Sequence, residues 1–213
     1  MWTPMVDVVP PGKSGSAEVD HVVVSEWDAR FAAIRGERLR PGPLARLLVH
    51  GGIMMSDGAE EKRSNSEAVR RANGDVLVAG LGLGMVLVPM LQKPEVRSVL
   101  VLENNPHVMA LVERHVRRYV GKKASAKLTV IEADVFTWEI PKGQKWDCIY
   151  LDVWPGICPD NLEGVTKLKR RYSKRLRRDN PNFWIGAWEE ARLRLRNRRE
   201  ARAERLRVKY RFY

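Results

Sequence analysis

Cysteine is scarce in this chain: Cys148 and Cys158 are the two among 213 residues. That excludes a disulfide scaffold and suits a reducing cytoplasm. No apolar run approaches the roughly 20 residues that cross a bilayer. Met1–Pro11 has no basic cluster followed by an apolar stretch, so no secretory signal is read there. Histidine is also rare. His21, His50, His107 and His115 stand at no metal-ligand spacing from each other, from the cysteines or from acids, so no metal is expected. Acidic residues are in deficit, 26 against 38 Lys and Arg, for a net charge of +12. The deficit is local. Val165–Tyr213 holds 18 Lys/Arg and 5 Asp/Glu, which leaves residues 1–164 at −1. Such a segment serves either as a surface for polyanions (RNA, DNA or an acidic membrane face) or as a solvated helical face. What remains is ordinary: 44% hydrophobic residues and a mean hydropathy of −0.37 give a water-soluble chain with enough apolar material for a core.

Residues 1–18, rich in Pro, Gly and Ser, read as a flexible arm. Residues 19–24 are β-branched and read as a strand. Residues 44–56 form two apolar runs around His50-Gly51-Gly52, a hairpin signal. Asp57 is placed to cap a polar helix over about 59–72. A regular alternation follows: strands at 76–79, 99–102, 128–131 and 147–151, with helices opening at Gly84 and spanning 107–119. Short apolar strands alternating with helices predict a mostly parallel sheet covered on both faces. Beyond it, 160–178 reads as a basic helix, and 183–195 as a helix with Trp184, Trp188, Ala191 and Leu195 on one face. The ending LRVKYRFY has a strand period. It is expected to supply an edge strand or to pair across a homodimer. No internal repeat is visible.

The chemistry is concentrated in GDVLVAGLGLGMVL. Gly80, Gly82 and Gly84 follow a strand and open a helix, where glycine permits a tight turn and close backbone approach to a ligand. Met85 stands where a nicotinamide-type fingerprint needs glycine. The G-x-G-x-G spacing is the one used around the methionine part of S-adenosylmethionine. Glu103 closes the next strand, followed by Asn104, and a carboxylate there accepts from both ribose hydroxyls. Asp134 follows the third strand, placed to accept from an adenine amine, with Val135 and Phe136 against the ring. Asp152 closes the fourth strand. It is a candidate to take a proton from, or orient, an acceptor, and Trp154 is a candidate wall for a flat or cationic one. The expected site is therefore Gly80, Leu81, Gly82, Gly84, Glu103, Asn104, Asp134 and Val135 for the cofactor, Asp152 for catalysis, and Asp57 and Trp154 for substrate.

Across residues 44–162, in LLVHGGIMMSD, GLGLG, LENNPHVMALV, EADVF and WDCIYLDVW, the chain resembles class I S-adenosylmethionine-dependent methyltransferases, in particular their spermidine synthase-like branch. It is also similar to uncharacterised methyltransferase-like proteins with a D-x-W motif ahead of D-N-L, here Asp160-Asn161-Leu162. The resemblance implies a Rossmann-like α/β methyltransferase fold with a small N-terminal β-hairpin region (19–58), a core over 59–162, and a basic C-terminal helical extension (163–213). Two departures bear on activity. Asp152-Val153-Trp154-Pro155 lacks the second acid of the spermidine synthase D-S-x-D-P loop, and Met54 or Met55 replaces a glutamine. Methyl transfer to an unidentified acceptor, a small molecule or a nucleic acid held by the basic segment, is thus the first expectation. Aminopropyl transfer from decarboxylated S-adenosylmethionine is the second. A non-catalytic nucleic-acid-binding protein on the same scaffold is the third.

Overall fold

The computed structural model describes residues 2–36 and 38–210. Two sheets build the molecule. The first is antiparallel, in the order β1 (Gly12–Ser14), β2 (Ala17–Val24), β3 (Gly42–Val49), β4 (Gly52–Ser56). Helix α1 (Glu26–Ile34) sits between β2 and β3 and begins at a capping box. Ser25 Oγ accepts from the Asp28 amide and the Asp28 carboxylate accepts from the Ser25 amide, both at 3.1 Å. The expected hairpin is present as β3–β4, its turn carried by His50 and Gly51 at positive φ.

The expected arm is not loose. Met5–Asp7 form a 3-10 turn, and Met5, Val8 and Val9 are buried. Burial of these apolar side chains in the main core favours the packed turn. Asp57 does not cap α2 (Ala59–Arg71) either: the residue at that position is Gly58, without a side-chain cap. Its carboxylate accepts instead from the amides of Met5 at 2.7 Å and Ala45 at 2.9 Å, fastening the N-terminal turn to β3.

The second sheet is parallel throughout, in the order β7 (Leu128–Glu132), β6 (Val96–Glu103), β5 (Gly74–Ala79), β8 (Cys148–Leu151), β9 (Trp184–Ala187). Helices α3 (Leu87–Gln92), α4 (Pro106–Ser125), α5 (Asn161–Tyr172) and α6 (Glu190–Tyr210) complete it. Successive residues of a strand point to opposite faces. Val76, Val78, Val99 and Val101 accordingly pack with Val112 and Val116 of α4, whereas Leu77, Ala79, Ile149 and Leu151 pack with Leu168 and Tyr172 of α5. This is a Rossmann-like α/β fold. Among the described residues no helix is long and apolar enough to cross a membrane.

Three expectations fail in the C-terminal third and the glycine loop. Trp184–Ala187 is a strand rather than the start of a helix. Its backbone pairs with Cys148–Leu151 and the Trp184 ring stacks on Tyr150, with centroids 6.2 Å apart, so tertiary pairing overrides the helical spacing of the tryptophans. Leu206–Tyr210 continues α6, whose preceding turns are rich in Ala, Leu, Arg and Glu, and so is no edge strand. Arg211, Phe212 and Tyr213 lie outside the described residues. The helix after the glycines starts at Leu87 and not at Gly84, because Gly80, Gly82 and Gly84 all have positive φ.

Candidate active site

From β5 the chain moves outward to β6 and β7 on one side, then returns to place β8 and β9 on the other. The loops after β5 and β8 therefore diverge, and such a switch point opens a crevice at the carboxyl ends of the strands. A cavity of about 510 Å³ lies there. Gly80, Leu81, Gly82, Glu103, Asn104, Asp134, Val135, Asp152 and Trp154 all line it. Two sequence-predicted residues do not. Asp57 is buried under the N-terminal sheet, and Gly84 turns toward α4, where a Cβ would stand 2.5 Å from Val116 Cγ2.

The glycine loop is held from both sides. At Gly80 (φ 97°) a Cβ would stand 1.9 Å from the carbonyl oxygen of Asp152, so only glycine lets the ends of β5 and β8 lie against each other at the base of the crevice, before their loops part. Glu103, at the end of β6, is buried. Its Oε2 accepts from the Leu81 amide at 2.8 Å and its Oε1 from the Asn105 amide at 2.9 Å. A carboxylate has about four acceptor sites, so roughly two remain for hydroxyls of a ligand in the cavity. Asn105 caps α4, its side chain accepting from the His107 amide at 3.0 Å, with Pro106 in the first turn. Asp134 forms a similar local turn. Its Oδ1 accepts from the Phe136 amide at 2.8 Å while the carboxylate stays exposed at the rim.

The opposite end of the cavity is acidic. Asp152 from β8 faces Glu61 from α2. Burial, then the charge of Glu61, push the Asp152 carboxyl up to about 8. Burial, then Glu189 and Glu60, push Glu61 up to about 7. Asn65 and Tyr150 brace this end: the buried Tyr150 hydroxyl donates to Asn65 Oδ1 at 2.7 Å. Met55 and Trp188 complete the wall, Met55 with its sulfur 3.3 Å from the Leu83 amide.

Glu61, Asn65 and Trp188 escaped the sequence reading, whereas Met55 lines the cavity as one of the two methionines matched to a glutamine. A signal for the first two existed. Glu61, Asn65 and Ala68 recur at helical spacing on α2, and Asn65 and Ala68 are buried, so the polar pair lies on an inward stripe. Trp188 was assigned to a helical face, but lies between β9 and α6 and reaches the cavity.

No protein-family model matches the chain, and no curated protein matches it in sequence. Solved structures align with it in fold. A precorrin 8w decarboxylase from Methanobacterium thermoautotrophicum aligns at 18% identity over 61% of this chain and 62% of its own, with a TM-score of 0.42. The N-methyltransferase NodS from Bradyrhizobium japonicum aligns at 12% identity over 56% and 64%, with a TM-score of 0.43. The CcbJ methyltransferase from Streptomyces caelestis aligns at 13% identity over 60% and 48%, with a TM-score of 0.45. The chain thus spans about half to two thirds of the length of these structures. The site itself carries the functional reading.

Proposed function

We propose that the chain is an S-adenosylmethionine-dependent methyltransferase whose acceptor presents an amine or another N–H group. The observation that carries this reading is one cavity at the strand ends that joins a glycine loop, two acids on successive strands and an acidic far end. Gly80, Leu81 and Gly82 would hold the amino-acid part of the donor, Glu103 the ribose, and Asp134 with Val135 and Phe136 the adenine. Glu103 keeps acceptor capacity toward the cavity, beside the Gly80–Gly82 loop that lines it, so the residues present fit such a ligand. When bound, the donor supplies an electrophilic methyl carbon.

The chain's own groups act on the acceptor. A nitrogen that takes a methyl group becomes cationic and must lose a proton. Asp152 and Glu61 stand at the acidic end with pKa values near the working range of a general base, and whichever of the pair is ionised attracts the cation and receives that proton. Trp154 supplies a π face on the wall of the same cavity.

The acidic pair also favours a second reading, aminopropyl transfer from decarboxylated S-adenosylmethionine to a diamine. Glu61 offers a second anionic group that the loop after β8 lacks. Calorimetric titration with S-adenosylhomocysteine and methylthioadenosine separates the two. Tighter binding of the homocysteine form supports methyl transfer; preference for methylthioadenosine, which lacks the carboxylate, supports aminopropyl transfer. Binding of neither overturns both.

A further inference from the structure

The excess positive charge of the C-terminal segment is not spread evenly in space. In the first two turns of α6 it is internally neutralised. Arg192 pairs with Glu189 at 3.1 Å, Arg194 with Glu190 at 2.8 Å and Arg196 with Glu200 at 3.0 Å. Helix α5 and the 3-10 turn that continues it differ. Lys167, Arg170 and Lys174 are exposed, and none of them is ion-paired with another described residue. Their spacing, three and then four residues, puts them on one face over about 10.5 Å.

That face is the wall of a groove of about 910 Å³, with Asn197 of α6 also lining it and Asp160 and Glu163 toward the start of α5. Its position matters more than its size. Lys167 Nζ sits 6.0 Å from the ring centroid of Phe136, which lines the cavity. Gly164, one turn earlier, packs between Phe136 and Trp154; a Cβ there would stand 3.4 Å from the first ring and 3.5 Å from the second. Arg171 clamps the stripe to the same loop, donating to the carbonyl of Phe136 at 3.0 Å and to that of Trp138. The stripe therefore starts at the aromatic rim of the cavity.

We infer that Lys167, Arg170 and Lys174 form a docking stripe for a single strand of nucleic acid that runs to the Phe136–Trp154 rim. Unpaired cations along a groove fit a phosphate backbone, and aromatic rings at its end fit unstacked bases, which a duplex does not offer. An anionic membrane fits less well. The face is concave, and the apolar face of α5, with Leu168 and Tyr172, is buried in the core rather than free to enter lipid. The inference rests on this surface alone and does not require the donor reading.

The test is fluorescence anisotropy of a labelled mixed-sequence RNA or DNA 20-mer with the full chain across a salt series. Each phosphate contact in a single strand contributes about 0.7 to the slope of log affinity against log salt. A K167Q/R170Q/K174Q variant should therefore lose about 2 from that slope. Raising salt fourfold should weaken the wild type roughly 20-fold more than this variant. The three side chains are exposed, and far-ultraviolet circular dichroism checks that the variant is folded. An R192Q/R194Q variant should bind like wild type. Equal slopes for the wild type and the triple variant would overturn the inference. So would equal loss in both variants, which would mark diffuse charge attraction. Tighter binding to vesicles of equal phosphatidylglycerol and phosphatidylcholine than to the strand would likewise overturn it in favour of a membrane.

Discussion

Replacing Asp152 by asparagine should flatten the dependence of folding stability on pH. In the native chain its carboxyl is raised from 3.8 to about 8 by burial and then by Glu61. In the unfolded chain the same group gives up its proton near pH 4. Between those values the native state holds a proton that the unfolded state has lost. The contribution of Asp152 to stability is therefore full below about pH 4, falls as pH rises, and reaches its floor above about 8. At about 1.4 kcal/mol per pKa unit, the span bounds the loss at about 6 kcal/mol. Asp152 lines an open cavity, where water relaxes around the charge, so roughly 2–3 kcal/mol is expected. Asparagine keeps the shape and removes the charge. Glu61, whose own rise from 4.5 to about 7 comes from burial and then Glu189 and Glu60, keeps its shift in the variant. Urea unfolding of both proteins at about pH 5 and about pH 8.5, with unchanged m-values, measures the difference. The wild type should lose the expected amount and the variant less than half of it. Parallel losses in the two proteins would refute the placement of Asp152 beside Glu61 in a desolvated end of the cavity.

Glu103→Gln keeps one acceptor oxygen but turns an NH2 group toward the Leu81 or Asn105 amide. It should cost about 1–3 kcal/mol in thermal unfolding and lower affinity for S-adenosylhomocysteine about tenfold or more by titration. Gly80→Ala drives a Cβ into the Asp152 carbonyl at a positive φ. It should cost about 3 kcal/mol or more, a fall in Tm of roughly 6–12 °C, while Gly156→Ala, in open space, should stay within about 0.5 kcal/mol of wild type. Asp147→Ala removes a buried carboxylate that accepts from the Asp75 amide at 2.7 Å, Arg97 at 2.7 Å, Arg177 at 2.6 Å and Asn180 at 2.8 Å. Burial raises the Asp147 pKa, but the Asp75 amide, Asn180 and the two arginines outweigh it, leaving it below 3.8. Its contribution is therefore present above about pH 4 and lost on acidification. The alanine variant should be about 3 kcal/mol less stable at neutral pH, with the gap closing as pH falls in urea titrations.

The central sheet was legible because its signals are local and agree with one another. Val76–Ala79, Val99–Leu102 and Leu128–Ile131 are short apolar runs, followed by Gly80, by Glu103 and, three residues on, by Asp134, and each is a strand with that residue at the cavity. What escaped depends on partners distant in sequence. Nothing local makes Trp184–Ala187 a strand; β8, more than thirty residues earlier, supplies its hydrogen bonds. Asp57 stands where a helix cap is expected, but the Met5 and Ala45 amides claim its carboxylate. Gly84 shares a motif with Gly80 and Gly82, yet the close approach of α4 fixes its role. Glu61 became a site residue only when α2 was laid across the end of β8, because a carboxylate in a polar helix reads as solvated until its neighbours are known.

The central claim, a donor pocket built by the loops after β5, β6 and β7, is tested most directly by calorimetric titration of S-adenosylhomocysteine into the wild type and an Asp134→Ala variant. Asp134 is exposed at the rim and its side chain ties down little besides the Phe136 amide, so the variant should fold normally. The account predicts saturable 1:1 binding to the wild type, weakened about tenfold or more in the variant by loss of a charged hydrogen-bond acceptor. Equal affinity of the two proteins would contradict the assigned pose, and no binding to the folded wild type would contradict the pocket itself.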